Sequence, residues 1–302
     1  MKRRDFVSRS AGATLAFAGL TPMARRGGVA PEPGSAGPIR FGYAAITWQG
    51  NDLQAIDDIA ALGFRGIQLR ASAVERWGPN PQELRDILAT RGLSFVALSS
   101  GLVRLDPAVR ADDLALHLRH ARFVRDAGGL YLQVVDERPA GRAATSDDFR
   151  QMGRLLTELG RRTADFGIPL GYHNHMGNLG QAPGEVAQVL EAADPRFLKM
   201  ELDTAHYQQA GGNPAEAVRR YSDRLLFLHI KDVVSPIPGR APDSYRFVEL
   251  GRGTVDFRAV FAALKQVDFR GWAVVELDRS DTPKESGAIS RRYLTETLGL
   301  EV

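Results

Sequence analysis

The chain has 302 residues, 44% of them hydrophobic and 25% charged, which is enough for one large core or two smaller ones. It contains no cysteine, which excludes disulfides, thiolate metal sites and cysteine nucleophiles. Residues 1–37 hold six Lys or Arg and two acidic residues. The formal net charge of +3 therefore leaves residues 38–302 close to neutral, which argues against nucleic acid as a partner.

The N-terminal segment is typical of an export signal. Residues 2–4 are basic, and residues 3–7 resemble the twin-arginine pattern. A short apolar stretch over residues 11–20 cannot span a bilayer as a helix, and residues 27–37 are rich in Pro and Gly. We predict a twin-arginine-type signal peptide and linker over residues 1–37, with export to the periplasm by the twin-arginine machinery and no membrane partner after cleavage. An untargeted amphipathic arm is the alternative.

Eight short apolar runs follow, separated by longer stretches with helical spacing. The runs cover residues 39–45, 65–69, 94–100, 130–135, 168–175, 196–203, 224–232 and 272–278. The clearest amphipathic stretches cover residues 53–63, 81–92, 149–167 and 257–269. Several of these stretches begin at Asp, Asn, Ser or Pro and end at Gly, as helix caps require.

This alternation predicts parallel strands joined by crossover helices. Eight such units in roughly 265 residues match the size of a closed (β/α)8 barrel. An open, doubly wound sheet is the alternative, but residues 41–51, which contain the end of the first run and the turn after it, lack a glycine-rich phosphate turn. We therefore predict an α/β fold, a single-domain (β/α)8 TIM barrel over residues 38–302.

Four consecutive runs end in ionisable residues, at the barrel face where active sites form. These residues are His173 and His175, Glu201 and Asp203, His229 and Lys231, and Glu276. Because side chains alternate along a strand, the residues in each pair share a face. Imidazole and carboxylate ligands suit Mn²⁺, Mg²⁺, Co²⁺ or Zn²⁺, so the pattern predicts a site for one divalent ion.

Simpler roles remain open for several of these residues. Lys231 and Asp232 could form a salt bridge at a strand end, and Glu201 could pair with an Arg or stabilise a helix. Trp48 is either a core residue or an aromatic surface for a sugar ring. The segment 249–253 could be a simple glycine turn. Two further histidines on a predicted helix are expected to be surface or packing residues, and they are His117 and His120.

Residues 38–280 resemble the xylose isomerase-like TIM barrels of the sugar phosphate isomerase/epimerase superfamily, and among these the inosose dehydratases. The resemblance rests on ITWQGND (46–52), YHNHMGN (172–178), ELDTAHYQQAGGNP (201–214), LHIKDV (228–233), ELGRGTVDF (249–257) and GWAVVELD (271–278). It implies that Asp203, His229 and Glu276 hold the metal, with His173 at a position where many members have Glu. It also implies that His206 faces the substrate.

The resemblance implies a metal-dependent isomerase or epimerase acting on a keto-sugar or cyclitol through a metal-stabilised enediolate. Catalytic acid or base roles are hypothesised for His175, Lys231 and Glu276. Substrate contacts are hypothesised for Trp48, His206, Glu249 and Arg252. His173 in place of a carboxylate argues against epimerisation with two carboxylate bases.

Three alternatives and one open question accompany this prediction. The first is an inosose dehydratase-like lyase that uses the same site. The second is a nuclease of the endonuclease IV type, for which this chain has too few histidines and no basic surplus. The third is an exported sugar-binding barrel without catalysis. The oligomeric state stays open, a homo-oligomer included.

Overall fold

The computed structural model describes residues 39–237, 240–241 and 243–302. The predicted signal and linker over residues 1–37 lie outside the described residues, so they stay a prediction. In the part of the chain that the structure describes, no helix is both long and apolar enough to cross a membrane.

Eight parallel strands close into a barrel, which confirms the predicted (β/α)8 TIM barrel. The strands of the described residues are β1 (Arg40–Ala44), β2 (Gly66–Arg70), β3 (Ser94–Val103), β4 (Tyr131–Asp136), β5 (Leu170–His173), β6 (Leu198–Asp203), β7 (Leu225–Ile230), β8 (Asp232–Val234), β9 (Arg246–Val248) and β10 (Trp272–Val275). Around the barrel the order is β1, β10, β7, β6, β5, β4, β3 and β2. Each barrel strand overlaps one of the eight predicted runs.

Helices cover the outside of the barrel and agree with the amphipathic stretches. They are α1 (Asp52–Ala61), α2 (Ser72–Trp77), α3 (Pro81–Thr90), α4 (Arg110–Asp126), α5 (Ser146–Ala164), α6 (Pro183–Glu191), α7 (Thr204–Gln209), α8 (Pro214–Arg220), α9 (Phe257–Gln266) and α10 (Pro283–Arg292). Local sequence fixes their starts. Asn51 accepts a hydrogen bond from the backbone of α1, and Thr145 with Asp148 forms a capping box on α5.

The lower half of the barrel interior is filled by apolar side chains. Phe227 and Trp272 are buried there with Val96, and Tyr131 stacks on Phe227 with 5.5 Å between ring centroids. Gly66 leaves the space that the Trp272 ring occupies, since a Cβ at this position would clash with it. Because strands alternate, the residues two positions further along, towards the carboxyl ends, also point into the barrel. This apolar floor therefore lies beneath the ionisable residues.

A two-stranded hairpin extends the loop after β7, and the sequence analysis did not predict it. β8 and β9 pair antiparallel, with Asp232 opposite Val248. Phe247 lies over the carboxyl end of the barrel, with its ring centroid 3.9 Å from Lys231 Nζ and 4.8 Å from the His206 ring. The hairpin thus covers the mouth with an aromatic side chain.

Asp232 organises the loop before α9. Its buried carboxylate accepts hydrogen bonds from the backbone of four residues. The donors are Val233, Gly251, Gly253 and Val255. The suggested Lys231–Asp232 salt bridge is therefore wrong: Asp232 is satisfied by backbone N–H groups, and Lys231 pairs with carboxylates on a different segment.

His117 and His120 are packing residues, and the surface alternative is wrong. They are 1% and 6% exposed, and both Nδ1 atoms lie close to Ser100 Oγ, at 2.6 and 2.8 Å. Burial lowers the pKa of both rings, that of His120 to about 4. They belong to the packing between β3 and α4, apart from the ionisable cluster at the barrel mouth.

Candidate metal centre

Strands β5, β6, β7 and the segment after β10 bring a cluster of acids and imidazoles together at the carboxyl end of the barrel. Its members are His173, Glu201, Asp203, His206, His229, Lys231 and Glu276, and each is at most 7% exposed. The register explains their proximity, since His173 lies opposite Glu201, and Asp203 lies opposite His229. Four adjacent segments therefore deliver ionisable groups to one buried place, as the sequence predicted.

Asp203 is positioned by its own helix. One carboxylate oxygen, Oδ1, caps α7 by accepting the backbone N–H of His206 at 2.8 Å. The Asn174 side chain also continues the ladder between β5 and β6, because it bonds both the N–H and the carbonyl of Asp203. The second oxygen, Oδ2, is left pointing at the cluster.

Three potential ligand atoms converge there without a hydrogen-bond partner among the described residues. They are His173 Nε2, Asp203 Oδ2 and His229 Nδ1, and both carboxylate oxygens of Glu201 also lack such a partner. Asp203 Oδ2 lies 3.7 Å from each of the two nitrogens. Glu276 Oε2 lies 3.3 Å from His229 Nδ1, so Asp203, His229 and Glu276 can offer their atoms to one ion.

Buried polar atoms without partners are costly, and a bound cation would remove that cost. A donor set of one imidazole nitrogen and two carboxylate oxygens fits a divalent ion of the Mn²⁺, Co²⁺, Mg²⁺ or Zn²⁺ type. The residues present therefore fit the metal that the sequence predicted.

The charges of the cluster point the same way. Burial lowers the pKa of His229, but Glu201 and Glu276 outweigh burial and hold the pKa well above its usual range. Burial raises the pKa of Glu276, yet His229 and Lys231 bring it down to about 2. The surroundings of His229 therefore favour a positive charge, which a proton or a divalent ion can supply.

Glu201 belongs to the cluster, which the sequence analysis left undecided. Its suggested pairing with an Arg is wrong: its carboxylate is fully buried, with Oε1 2.6 Å from His229 Nε2 and Oε2 3.8 Å from His173 Nδ1. Burial raises the pKa of Glu201 to about 7. The signal was its position in MELD, two residues before Asp203 and thus on the same face of the strand.

Lys231 is held as a cation. Its Nζ lies 3.0 Å from Glu276 Oε1 and also contacts Asp278, which the sequence analysis did not single out. Burial lowers the pKa of Lys231, but Glu276, Asp203 and Asp278 together raise it above its usual range. A lysine that keeps its proton is a poor general base, so the geometry favours a role for Lys231 as a charged hydrogen-bond donor.

His175 and His206 lie side by side above the cluster, with ring centroids 4.0 Å apart. His206 Nδ1 accepts the Met176 N–H at 3.2 Å, and burial and Lys231 keep its pKa well below the usual range. Lys231 Nζ lies 3.4 Å from His206 Nε2 and can only donate, so a donor lies beside each nitrogen of this ring. His175 Nδ1 donates to the Met176 carbonyl at 2.7 Å, which leaves Nε2 of a neutral ring free to accept a proton.

Three predicted substrate contacts have their hydrogen bonds with residues other than those of this cluster. The indole of Trp48 donates to Asp58 at 2.9 Å and packs edge-on against Tyr43, which favours its reading as a core residue. Glu249 accepts from Ser286 at 2.9 Å and pairs with the exposed Arg252 at 3.3 Å. Within the described residues, none of the three is hydrogen-bonded to a member of the cluster.

A closed eight-stranded barrel with an acid–imidazole cluster at its carboxyl end defines a TIM-barrel protein with a candidate metal centre. A family model described as xylose isomerase-like TIM barrel matches residues 56–296. The chain therefore belongs to the xylose isomerase-like TIM barrel family.

The similarity of this chain to known proteins covers nearly the whole length of those proteins. An inosose dehydratase from Lacticaseibacillus casei is 23% identical over 301 residues, covering 87% of this chain and 98% of that protein. Among solved structures, the IOLI protein with a bound zinc atom has a TM-score of 0.73 at 17% identity, covering 86% of this chain and 98% of the other. A D-allulose 3-epimerase from Methylomonas sp. has a TM-score of 0.69 at 21% identity, with coverage of 85% and 97%.

Proposed function

We propose that this protein is a divalent-metal-dependent enzyme that removes the proton next to the carbonyl of a keto-sugar or cyclitol. The observation that carries the proposal is the convergence of unpartnered ligand atoms from Asp203 and His229 beside the buried Lys231. The name of the similar inosose dehydratases supports a cyclitol or sugar substrate, and the zinc atom of the IOLI protein supports a divalent ion.

The residues divide into groups that hold the ion and groups that handle the substrate. When bound by Asp203, His229 and Glu276, a divalent ion would supply Lewis-acid polarisation of a substrate oxygen. Lys231 places its ammonium hydrogens beside His206, which suits a substrate hydroxyl or carbonyl oxygen. His175 is the base that we assign to proton removal, because its Nε2 is free to accept.

Two outcomes can follow removal of that proton. Loss of a hydroxyl from the next carbon gives dehydration, and return of the proton at the neighbouring carbon gives isomerisation. Likeness to inosose dehydratases over nearly their full length supports dehydration. The ammonium of Lys231 would also suit a departing hydroxyl group. Isomerisation of a keto-sugar uses the same first step and is the second candidate.

The test is solvent exchange and product analysis with the full chain. The Mn²⁺-, Co²⁺- or Zn²⁺-loaded protein is incubated with inosose or a ketohexose in D₂O and followed by proton NMR. We expect deuterium to enter beside the carbonyl, with an unsaturated product if water is lost. The matched control is His175→Gln, which should abolish exchange without releasing the ion. Absence of exchange with every keto-sugar and cyclitol offered would refute the proposal.

We also propose export of the mature domain through the twin-arginine route, as residues 3–7 suggest. The full chain should appear in the periplasm of a bacterial host, and Arg3→Lys with Arg4→Lys should keep it in the cytoplasm. Equal distribution of both proteins between the two compartments would contradict export.

A further inference from the structure

Uncharged side chains on β2, β3 and β4 form a series of hydrogen bonds inside the barrel, called here the hydrogen-bonded chain. It joins two histidines of the cluster, His173 and His229. Gln68 on β2 and Gln133 on β4 are each 2% exposed, and Ser99 on β3 lies between them. Ser99 and Gln133 are direct neighbours in the sheet register. Nothing in the proposed function uses these three side chains.

The hydrogen-bonded chain is continuous from His229 to His173. His229 Nε2 lies 2.7 Å from Gln68 Oε1, and Gln68 Nε2 reaches Ser99 Oγ at 3.5 Å. The Ser99 hydroxyl donates to Gln133 Oε1, and Gln133 Nε2 lies 3.0 Å from His173 Nδ1. Five strands, two of which carry the imidazole rings, are linked by one series of side-chain contacts.

At the His229 end of the hydrogen-bonded chain, the neighbouring atoms decide which ring nitrogen carries the hydrogen. An amide oxygen can only accept, so His229 Nε2 carries a hydrogen and donates it to Gln68. Glu201 Oε1 lies 2.6 Å from the same nitrogen, and its carboxylate charge also favours a hydrogen there. The other ring nitrogen, Nδ1, is then the atom that faces Asp203 and Glu276.

At the His173 end of the hydrogen-bonded chain, the ring nitrogen accepts a hydrogen bond instead of donating one. An amide nitrogen can only donate, so His173 Nδ1 accepts from Gln133. A neutral ring with an accepting Nδ1 carries its hydrogen on Nε2, which lies 3.7 Å from Asp203 Oδ2. His173 therefore directs an N–H towards the centre, whereas His229 directs a nitrogen lone pair once an ion replaces its proton.

We propose that the chain formed by Gln68, Ser99 and Gln133, together with Glu201, sets the two rings to different tasks. His229 ligates the ion through Nδ1, and His173 is a hydrogen-bond donor to Asp203 or to the substrate rather than a ligand. The proposal rests on the metal site of the proposed function and replaces the predicted role of His173 in metal binding. Gln68, Ser99, Gln133 and Glu201 are positioning residues, since they act through the rings.

The experiment reads the tautomers directly. The full chain, labelled with ¹⁵N-histidine, is examined by long-range ¹H–¹⁵N correlation NMR with and without Zn²⁺, and rings are assigned by single His→Gln variants. We expect a protonated Nε2 on both rings, with Zn²⁺ shifting Nδ1 of His229 and leaving Nε2 of His173 protonated. Loss of the His173 Nε2 hydrogen on adding Zn²⁺ would overturn the proposal and make this residue a ligand.

The same substitution at the two amides supplies a matched pair. A carboxylate can only accept, so Gln133→Glu should move the hydrogen of His173 from Nε2 to Nδ1. Gln68→Glu should leave the hydrogen of His229 on Nε2, because the replaced atom was already an acceptor. If His173 keeps its Nε2 hydrogen in Gln133→Glu, the proposal fails.

The amides should also matter for affinity without any turnover. Gln68→Leu should weaken Zn²⁺ binding roughly 10–100-fold, the usual effect of removing a partner of a ligand. Unchanged affinity in that variant would contradict the positioning role. Because neither readout requires a substrate, an inactive protein with the expected tautomers would refute the proposed reaction and leave this inference standing.

Discussion

The two halves of the barrel interior differ in the charge of the side chains that they carry at the same depth. At the depth of the histidines, β5, β6, β7 and the segment after β10 carry acids and imidazoles, all almost completely buried. At that depth β2, β3 and β4 carry Gln68, Ser99 and Gln133, which are neutral. The half formed by β5, β6, β7 and the segment after β10, called the charged half, favours the binding of a cation. The half formed by β2, β3 and β4, called the neutral half, determines which atoms of the histidine rings face that cation.

The contrast teaches that charge alone does not build a site. A buried histidine between carboxylates can point either nitrogen at a ligand, and only its second hydrogen bond decides between them. Here that bond comes from the neutral half and from Glu201.

The largest expected effect follows from Lys231→Met. The change leaves Glu276 buried without the ammonium 3.0 Å away. Breaking a buried ion pair from one side costs about 3–5 kcal/mol, so the free energy of unfolding should fall by that order. Urea denaturation with a chelator present measures it, and Lys231→Arg is the control that keeps the charge. Equal stability of the Met variant and the unaltered protein would show that the pair is not balanced as described.

Asp203→Asn should remove metal binding while preserving the local fold. The amide oxygen can still cap α7 by accepting the His206 N–H, so helicity should be retained. Loss of a charged ligand should weaken Zn²⁺ binding by more than about 100-fold, beyond the usual effect of changing an outer partner. Calorimetric titration measures this, and His120→Gln serves as a control outside the site. Retained affinity would contradict the assignment of Asp203.

Glu201→Gln should have a smaller effect on the ion. The amide oxygen can still accept from His229 Nε2, 2.6 Å from the present carboxylate, but the negative charge is lost. We expect Zn²⁺ affinity to fall about 10-fold, at the low end for an outer partner. A fall as large as that of Asp203→Asn would make Glu201 a direct ligand.

The smallest effect should come from the histidines outside the barrel. Burial lowers the pKa of His120 to about 4, below the ordinary histidine value of 6.5. The unfolded chain therefore binds a proton at higher pH than the folded one, and stability should be full above pH 6.5 and decline as pH falls towards 4. We expect a loss of about 2 kcal/mol by pH 5, since one pKa unit is worth about 1.4 kcal/mol. The difference between the unaltered protein and His120→Gln isolates it, and identical pH profiles would contradict it.

The sequence predicted the fold and most of the charged half, since both depend on strong local patterns. Apolar runs ending in HNH, ELD, HIKD and ELD carry their ionisable residues at the positions where parallel strands terminate. The hairpin of β8 and β9 was missed because its strands are three residues long and flank a proline-containing loop. Their pairing depends on backbone contacts that no periodicity reveals.

The neutral half escaped prediction for a different reason. Gln68 and Gln133 lie in the middle of the strands GIQLR and YLQVVD with apolar neighbours on both sides, and a buried glutamine in a strand was the available signal. Its partner lies across the barrel, since Gln68 and His229 are 161 positions apart. Trp48 is the opposite case, because its position after the first strand indicated a substrate contact at the barrel mouth. Its indole instead donates a hydrogen bond to Asp58, which holds it among the packed residues.

The most direct test of the account is the metal content and affinity of the full chain beside Asp203→Asn. Both proteins are loaded with Mn²⁺, Co²⁺ or Zn²⁺, desalted and analysed by elemental mass spectrometry, with affinity from calorimetry. The account predicts one divalent ion per chain, lost in the variant. Three zinc ions per chain would indicate the nuclease alternative, and no bound ion with any of the three metals would contradict the metal centre itself.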